Sequence, residues 1–339
     1  MSADSRYHHL RAEILPLLRE GTLFQKASRQ ATRFAYAEAI LEVGREISEV
    51  VVLDADVSKA IRTDEFARQF PGREINFGIA EQNMTAAAAG MATTGLIPFI
   101  STYAVFITLR ALDMVRNSIC YPNLNVKIAA SHGGITPAPD GVTHQGQEDL
   151  TIMRALPNMT VIAPADSPTT KQAVHAAARW RGPVYLSFTR DPVPLLFDAS
   201  YPFEIGKAVL VREGEDATIV ANRDMTAQAL LAAEMLAAEG IEVRVIDCHT
   251  LKPLDAAIIL QAARETGALV TAENNIYYGG LGSAVAELLV ENEPVPMQRV
   301  GVRDTFAESG PYLTIIDRYG LSARHIVSAV KRVLARKKG

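Results

Sequence analysis

The sequence predicts an α/β protein of two domains, each built on a mostly parallel sheet flanked by helices. Three observations support this fold class. The 339 residues exceed the usual length of a single domain. Short apolar runs alternate with helix-like stretches along the chain, and a proline-rich segment interrupts this alternation beyond the midpoint. The 48% hydrophobic and 21% charged residues are ordinary for a folded soluble protein.

The first half of the chain alternates between helix-like and strand-like stretches from residue 31 onward. In chain order these are the helical RFAYAEAILEVGREI, the apolar run VVVLDADV, a second helical stretch, the segment GIAEQNM, the strand-like LIPFIST, a helix around Ala104 to Cys120, the strand-like NVKIAAS, a Gly/Pro-rich loop from His132 to Gln147, a helix near Asp149 and the strand-like MTVIAPAD. Such alternation is typical of parallel strands joined by helical crossovers.

The segment TRDPVPLLFDASYPF is rich in proline and lacks periodicity, so it marks a domain boundary. We expect an N-terminal helical extension at 1–20, a first domain at 21–198, a linker at 199–205 and a second domain at 206–339. Strand and helix alternate again through the segments ATIVAN, AQALLAAEMLAAEG, IEVRVIDCHTLKPLD, GALVTAEN and SAVAELLVEN, and the chain ends in the helical ARHIVSAVKRVLARKK. This alternation predicts a second parallel sheet.

Composition argues against several classes of protein. A net charge of -4 gives no basic footprint for nucleic acid. The first residues lack a signal-peptide pattern, and no segment sustains about 18 apolar residues, so we predict a cytoplasmic protein that does not enter a membrane. Cys120 and Cys248 lie outside any CxxC or Cys/His array, which argues against a disulfide framework and a structural zinc site.

The segment GIAEQNM at 78–84 places one carboxylate, that of Glu81, where an apolar strand end runs into a helix. The small residues of TAAAAGMATTG follow and suit close helix packing. At such a junction a carboxylate is either a candidate for chemistry or an ordinary helix-terminal acid favoured by the helix dipole. Neighbouring motifs must decide between the two.

Further motifs occur in order along both predicted domains. They are DADVS at 54–58, the aromatic pair Tyr103 and Phe106, ASH at 130–132, DGVTHQGQEDL at 140–150, RALPNMTVIAPAD at 154–166, LKPLD at 251–255 and GGLGSAV at 279–285. Together with GIAEQNM they resemble the transketolase family from about Ala31 to the end of the chain. The resemblance implies a thiamine diphosphate enzyme that transfers a two-carbon ketol unit from a ketose (phosphate) to an aldose (phosphate). This chain is similar to the pyrimidine-binding domain of that family followed by its C-terminal domain.

The diphosphate and metal motif of the family, which begins GDG, does not occur in the sequence. The resemblance therefore implies the second subunit of a split transketolase, whose N-terminal-half partner carries that motif and mainly holds Mg²⁺, or Ca²⁺ or Mn²⁺ in its place. We expect no metal ligand in this chain and an α2β2 heterotetramer that is active only when both chains are present. Self-association through both domains of this chain is also expected.

The same resemblance assigns cofactor contacts. Glu81 matches the glutamate that hydrogen-bonds N1′ of the aminopyrimidine and promotes its imino tautomer. Tyr103 and Phe106, three residues apart and expected on one helical face, match aromatics that pack on the pyrimidine ring. Three other positions match the cofactor lining, namely Asp56, Val57 and Ile79. Ordinary core packing is the alternative for the aromatic and apolar positions.

Polar residues of the Gly/Pro-rich loop can project into a cleft rather than a core. By resemblance, His132 contacts the sugar or its phosphate, Asp140 binds a substrate hydroxyl and His144 lies close to the reacting carbonyl. The two histidines are therefore catalytic candidates beside Glu81. Loop hydrogen bonding is the alternative, and a zinc site is disfavoured because the spacing matches no metal pattern.

Arg33 and Arg190 match the two phosphate-binding arginines of the family, a role that suits the planar guanidinium group. The phosphate-binding serine of the family falls at Ala60, so one hydroxyl contact is missing. Ser58 and Lys59 are candidates to replace it. This departure leaves open an anionic group other than an ordinary sugar phosphate.

Three other functions stay open at this point: the β subunit of a 2-oxo acid dehydrogenase, a 1-deoxyxylulose-5-phosphate synthase-like enzyme and a noncatalytic scaffold subunit. His132 argues against the first two, and the second is normally one full-length chain. Retention of Glu81 with both aromatics argues against a scaffold. The GGLGS loop lacks the full GxGxxG spacing of a nucleotide site and is interpreted as tight backbone packing.

Overall fold

The computed structural model describes residues 4–337. In its first half the helices are α1 (Ile14–Arg19), α2 (Leu23–Lys26), α3 (Thr32–Glu46), α4 (Ser58–Ile61), α5 (Asp64–Gln69), α6 (Glu81–Thr93), α7 (Leu112–Met114), α8 (Asp149–Ala155) and α9 (Ser167–Arg179). The strands there are β1 (Arg29–Gln30), β2 (Val50–Asp54), β3 (Glu74–Asn76), β4 (Ile97–Tyr103), β5 (Lys127–Ser131), β6 (Thr160–Ile162), β7 (Val184–Ser187) and β8 (Val193–Pro194). Two π-helical segments, Phe106–Arg110 and Val115–Cys120, flank α7, and a 3-10 turn spans Val142–His144.

The second half contains five helices and six strands among the described residues. The helices are α10 (Met225–Ala237), α11 (Ala256–Thr266), α12 (Leu281–Asn292), α13 (Tyr312–Arg318) and α14 (Ala323–Lys337). The strands are β9 (Val209–Arg212), β10 (Ala217–Ala221), β11 (Val243–Asp247), β12 (Thr250–Lys252), β13 (Leu269–Ile276) and β14 (Met297–Val302).

The first domain is built on a seven-stranded sheet in the order β12-β6-β7-β5-β4-β2-β3, in which only β12 runs antiparallel to its neighbour. Helices α3 and α9 pack on one face, and α6 and the π-helical segments pack on the other. Strands β2, β5 and β7 are therefore buried along their whole length, as expected for a parallel sheet covered on both sides. The predicted fold class is confirmed.

The carboxyl ends of the parallel strands meet at one edge of this sheet, where open α/β sheets bind ligands. The predicted cofactor positions are Tyr103, the last residue of β4, and residues that follow β2, β3 and β4, while most of the predicted substrate positions follow β5 and β7. The sequence alternation thus explains why residues far apart in the chain converge there.

The second domain has a five-stranded sheet in the order β14-β13-β10-β11-β9, with only β9 antiparallel. Helices α10 and α14 cover one face, and α11 and α12 contribute to the core on the other. Glu273, on β13, accepts hydrogen bonds from the backbone N–H groups of Leu281 and Gly282, both at 2.8 Å. The GGLGS loop therefore binds a carboxylate of its own domain, which agrees with the packing interpretation.

Two contacts that the sequence did not predict join the domains. Strand β12 leaves the second domain and pairs antiparallel with β6, at the edge of the first sheet, with Thr250 opposite Ile162. In the expected N-terminal extension, residues 4–13 form no helix and the helical part is α1, while α2 lies at the start of the expected first domain. Leu18, Leu23 and Phe24 belong to the hydrophobic core of the second domain.

Other expectations from composition concern metals, thiols and membranes. Among residues 4–337 there is no group of three His, Cys, Asp or Glu side chains arranged to hold a metal ion. Cys120 and Cys248 are buried and free. No helix in the described part of the chain is both long enough and apolar enough to cross a membrane.

Candidate active site

Four aromatic rings form a continuous stack at the carboxyl edge of the first sheet. The ring of Tyr103 lies 3.7 Å from that of His132 and 5.5 Å from that of Phe106, with interplanar angles of 21° and 20°. His144 meets the other end of the stack, 5.6 Å from Phe106 and nearly perpendicular to it. Tyr103 is the last residue of β4, so the expected shared helical face with Phe106 is wrong, although their rings stack.

His132 is the buried end of this stack and is only 2% exposed. It follows β5 in a left-handed conformation, with φ of 65°, and its Nδ1 lies 2.8 Å from Ser131 Oγ. Burial, and after it the positive charges of Arg33 and Arg190 and the neighbouring His144, together lower the pKa of His132 to about 2. The imidazole is therefore neutral, and each ring nitrogen can take part in one hydrogen bond.

Two arginines lie beside His132. Asp140 Oδ2 lies 3.7 Å from His132 Nε2 and 3.1 Å from Arg190 Nε, so this carboxylate bridges the histidine and one arginine. Arg33 Nε is buried and has no hydrogen-bond partner among the described residues. The pKa of Arg33 is lowered by burial first and by Arg190 second. A buried guanidinium N–H without an acceptor, next to a second arginine, suits an anionic ligand.

Glu81 is the first residue of α6 and is only 1% exposed. Its two carboxylate oxygens accept hydrogen bonds of 2.9 and 2.8 Å from Nη1 of Arg110. Arg110 ends the π-helical segment that begins at Phe106, and its guanidinium carbon lies 4.8 Å from the centre of the Phe106 ring. Arg110 thus connects the buried carboxylate to the ring stack.

The remaining predicted cofactor positions lie at the rim rather than in the stack. Asp56 is exposed and has a left-handed conformation, and Ile79 is 77% exposed. Val57 is half-buried, and its N–H donates to Asp54 Oδ1 at 2.9 Å. At Ala60 there is no side-chain hydroxyl, as the sequence requires.

The loop that carries His132 and Asp140 rests on the second domain. Arg223 is fully buried, and its Nη1 donates to Ser187 Oγ at 2.6 Å and lies 3.3 Å from Asp149 Oδ2. Gly133 packs so closely here that an added Cβ would overlap Ser187 Oγ and the Arg223 guanidinium. The floor of the site is therefore built by both domains.

Models of two consecutive protein domains match the chain. The transketolase pyrimidine-binding domain matches residues 28–194, and the transketolase C-terminal domain matches residues 206–326. The chain belongs to the transketolase family. It corresponds to the C-terminal half of such enzymes: it is 37% identical to transketolase-like protein 2 of Mus musculus over 305 residues, which are 89% of this chain and 48% of the mouse protein.

Several relatives match this transketolase chain over nearly their whole length. The 6-deoxy-6-sulfo-D-fructose transketolase subunit SqwH of Clostridium sp. (strain MSTE9) is 45% identical, over 90% of this chain and 95% of that protein. One of the subunits of the apulose-4-phosphate transketolase of Phocaeicola vulgatus is 33% identical, over 87% of this chain and 95% of that protein. A solved structure described as a split gene transketolase, inactive beta4 tetramer, is 50% identical with a TM-score of 0.84, and the match covers 91% of this chain and all of that one.

Transketolases imply thiamine diphosphate, and the residues present fit only one end of that cofactor. Stacked aromatic rings beside the buried carboxylate of Glu81 suit an aminopyrimidine, which has a flat face and a ring nitrogen able to bond a carboxyl group. The diphosphate end would need a divalent cation with oxygen ligands, and residues 4–337 contain no cluster for one. Glu81, Tyr103 and Phe106 would hold the pyrimidine end.

Sequence reasoning missed Arg110, the residue that contacts Glu81 most directly. The two are 29 residues apart, and nothing in their spacing predicts the contact. The π-helical turn that aims Arg110 at Glu81 also has no recognised sequence pattern here. The contact between Arg223 and Asp149 could not be predicted from the sequence either, because it depends on how the two domains pack together.

Proposed function

We propose that this transketolase chain is one subunit of a two-component enzyme that moves a two-carbon ketol unit from a ketose to an aldose. A second chain, corresponding to the N-terminal half of full-length transketolases, would supply the diphosphate site and Mg²⁺, in an α2β2 assembly. When bound, thiamine diphosphate supplies the nucleophilic carbon and the electron sink for cleaving the carbon–carbon bond.

In this proposal Glu81 holds a proton at N1′ of the pyrimidine. The carboxylate lies at the base of the ring stack and is shielded from water, so its hydrogen bond to the pyrimidine would be short and directional. Arg110 occupies both carboxylate oxygens in the chain alone. Because the side chain of Arg110 is 47% exposed, it can turn toward solvent and free one oxygen for the pyrimidine.

The two histidines would act on substrate oxygens. His132 is neutral and rigidly stacked on Tyr103, so it can donate or accept one hydrogen bond without carrying charge. His144 lies at the other end of the stack, in a 3-10 turn, and is half-buried. Asp140 bonds Arg190 through both of its oxygens, which leaves its outer lone pairs for a substrate hydroxyl.

The arginine pair would bind a terminal anionic group of the sugar. Arg33 brings a buried guanidinium with an unpartnered Nε, and Arg190 lies beside it. The absence of a hydroxyl at Ala60 fits a ligand other than the ordinary sugar phosphate. The names of the two relatives include a sulfonated ketose and a phosphorylated sugar, and a guanidinium group binds either anion. We propose a sulfonate-bearing or phosphate-bearing ketose as the donor.

The observation that carries the proposal is the buried Glu81 carboxylate joined through Arg110 to the Tyr103–Phe106 ring stack. It lies at the same sheet edge as the arginine pair, so a cofactor pyrimidine and an anionic sugar would meet there. An ordinary helix-terminal acid needs no stacked rings beside it. The two features together favour catalysis over a scaffold role.

Reconstitution tests the proposal. The chain is co-purified with a partner that carries the GDG motif and assayed for ketol transfer with phosphorylated and 6-sulfonated ketoses, thiamine diphosphate and Mg²⁺. Glu81→Gln should lower the transfer rate at least about 100-fold, the usual size of a lost proton-transfer group. Glu65→Gln removes an exposed acid on α5 and should leave the rate within about twofold. Wild-type rates in Glu81→Gln would remove Glu81 from the mechanism, and full activity of the chain alone would contradict the two-component proposal.

A noncatalytic state is the second candidate, for the chain without its partner. The solved relative at 50% identity is described as an inactive tetramer of one chain type. We propose that this chain alone likewise forms an inactive tetramer. Native mass spectrometry before and after addition of the partner measures whether a tetramer of this chain alone is replaced by a complex of both chains. Pyruvate consumption by the two chains together would instead favour the synthase-like or dehydrogenase alternatives.

A further inference from the structure

The second domain contains a cavity of about 550 Å³ with a strongly basic wall. It lies between the carboxyl end of β14 and the helices α13 and α14. Its charged and titratable lining residues are Arg299, Arg303, Arg318, His325 and Arg332. No aspartate or glutamate of the described chain lines it. We call it the arginine cavity.

Most arginines of the arginine cavity have no counter-charge. Arg318 pairs with Glu308, but Arg299, Arg303 and Arg332 have no carboxylate within 4.0 Å among residues 4–337. The guanidinium carbons of Arg299 and Arg303 lie 3.9 and 4.2 Å from the centre of the same Tyr277 ring. Both guanidinium groups therefore contact one aromatic ring, a favourable cation–π arrangement that holds them at this wall.

A missing carboxylate partner is not in itself unusual here, since some exposed arginines elsewhere have one and others do not: Arg68 pairs with Asp64, whereas Arg116 bonds only Asn117. The arginine cavity differs because three such arginines line one concave surface. A wall of like charges that leaves three guanidinium groups unpaired concentrates positive potential in one concave surface, which favours a multivalent anion.

We propose that the arginine cavity is a binding site for a small anion of the diphosphate type, with two or more negative charges. Its volume is within the range of small-molecule sites. Guanidinium groups bind phosphate oxygens through paired N–H donors. A bound anion would supply the counter-charge that Arg299, Arg303 and Arg332 lack.

The arginine cavity is separate from the candidate active site. Residues at its edge nevertheless hydrogen-bond the loop that carries His132 and Asp140. Thr305 lines the arginine cavity, and its carbonyl accepts a hydrogen bond from Gln147 Nε2 at 3.2 Å. Glu308, the partner of Arg318, accepts at its carbonyl from Gln145 Nε2 at 3.3 Å. Both glutamines end the loop that carries His132 and Asp140, so an anion that competes for Arg318 acts directly beneath that loop.

Calorimetric titration of inorganic pyrophosphate, without metal, into the full chain tests the proposal. The background variant Arg33→Gln with Arg190→Gln removes the other anion site. In that background, Arg299→Gln, Arg303→Gln and Arg332→Gln together should raise the dissociation constant at least about tenfold, since each lost contact is charge-assisted. The matched control removes three paired charges, through Arg68→Gln, Arg179→Gln and Arg264→Gln, and should change it less than about twofold.

Two outcomes would overturn the proposal. One is an equal loss of affinity in both triple variants, which would mean that only net charge matters. The other is no measurable pyrophosphate binding in the background variant. Arg332→Gln alone is a milder change at an exposed position and should still weaken binding about threefold, so a folding defect in the triple variant does not decide the result.

Discussion

Replacing Arg110 with methionine should destabilise the chain more than replacing Glu81 with glutamine, although the two residues form one ion pair. The reason is unequal burial: the carboxylate is 1% exposed and the guanidinium side chain 47% exposed. Without Arg110 the carboxylate has no hydrogen-bonded side-chain partner among the described residues, yet it cannot reach bulk water. Without the Glu81 carboxylate the guanidinium simply rehydrates.

The size of the effect follows from this geometry. Removing one partner of a fully buried pair costs about 3–5 kcal/mol, and partial exposure of Arg110 lets water replace some of the lost interaction, so we expect about 2–3 kcal/mol for Arg110→Met. Glu81→Gln keeps an acceptor oxygen and should cost about 0–1 kcal/mol. The difference of about 2 kcal/mol is roughly a thirtyfold change in the folding equilibrium.

Urea unfolding of the two variants at one fixed protein concentration measures this difference, because oligomerisation makes stability depend on concentration. Arg116→Met is the matched control, since Arg116 is exposed and bonds only the neighbouring Asn117. It should cost less than about 0.5 kcal/mol. Equal stability losses for Arg110→Met and Glu81→Gln, or a larger loss for Glu81→Gln, would refute the reasoning from burial.

Two further predictions concern the second domain. Burial raises the pKa of Asp247 from 3.8 to about 7, so the neutral carboxyl contributes stability that is full below pH 3.8 and is lost as pH rises through 7. Relative to wild type, Asp247→Asn should therefore gain about 4 kcal/mol in the free energy of unfolding between pH 4 and pH 8, measured with urea, and a constant difference would contradict the assignment. Leu18→Ala should cost about 3 kcal/mol because Leu18 fills the core of the second domain, whereas Leu313→Ala, at a position 38% exposed, should cost less than about 1 kcal/mol in the same assay.

The parts of the fold that follow local periodicity could be predicted from sequence. The run VVVLDADV became the fully buried β2, and the segment GIAEQNM became the start of α6 with Glu81 at its first position. Convergence of the site residues also followed from sequence, because parallel strands bring their carboxyl ends to one edge. The resemblance to a known family then gave each of these residues a proposed role.

The parts that depend on contacts between distant segments could not be predicted. Arg110 reaches Glu81 only through a π-helical turn, and a π-helical turn is the addition of one residue to an otherwise ordinary helix. The arginine cavity draws on residues from 299 to 332, whose charges look like a solvated surface until β14, α13 and α14 are packed together. Neither feature has a local sequence signal.

The antiparallel strand β12 bears on how transketolase genes can be divided. Because this strand of the second domain completes the edge of the first sheet, a chain cut between the two domains would leave the edge of β6 uncovered and open to pairing with other molecules. Helices α1 and α2 lie at the start of the chain yet pack in the core of the second domain, so such a cut would also separate them from their packing partners. A cut between the two domains is therefore expected to destabilise both parts, whereas a cut outside the pair leaves these contacts intact.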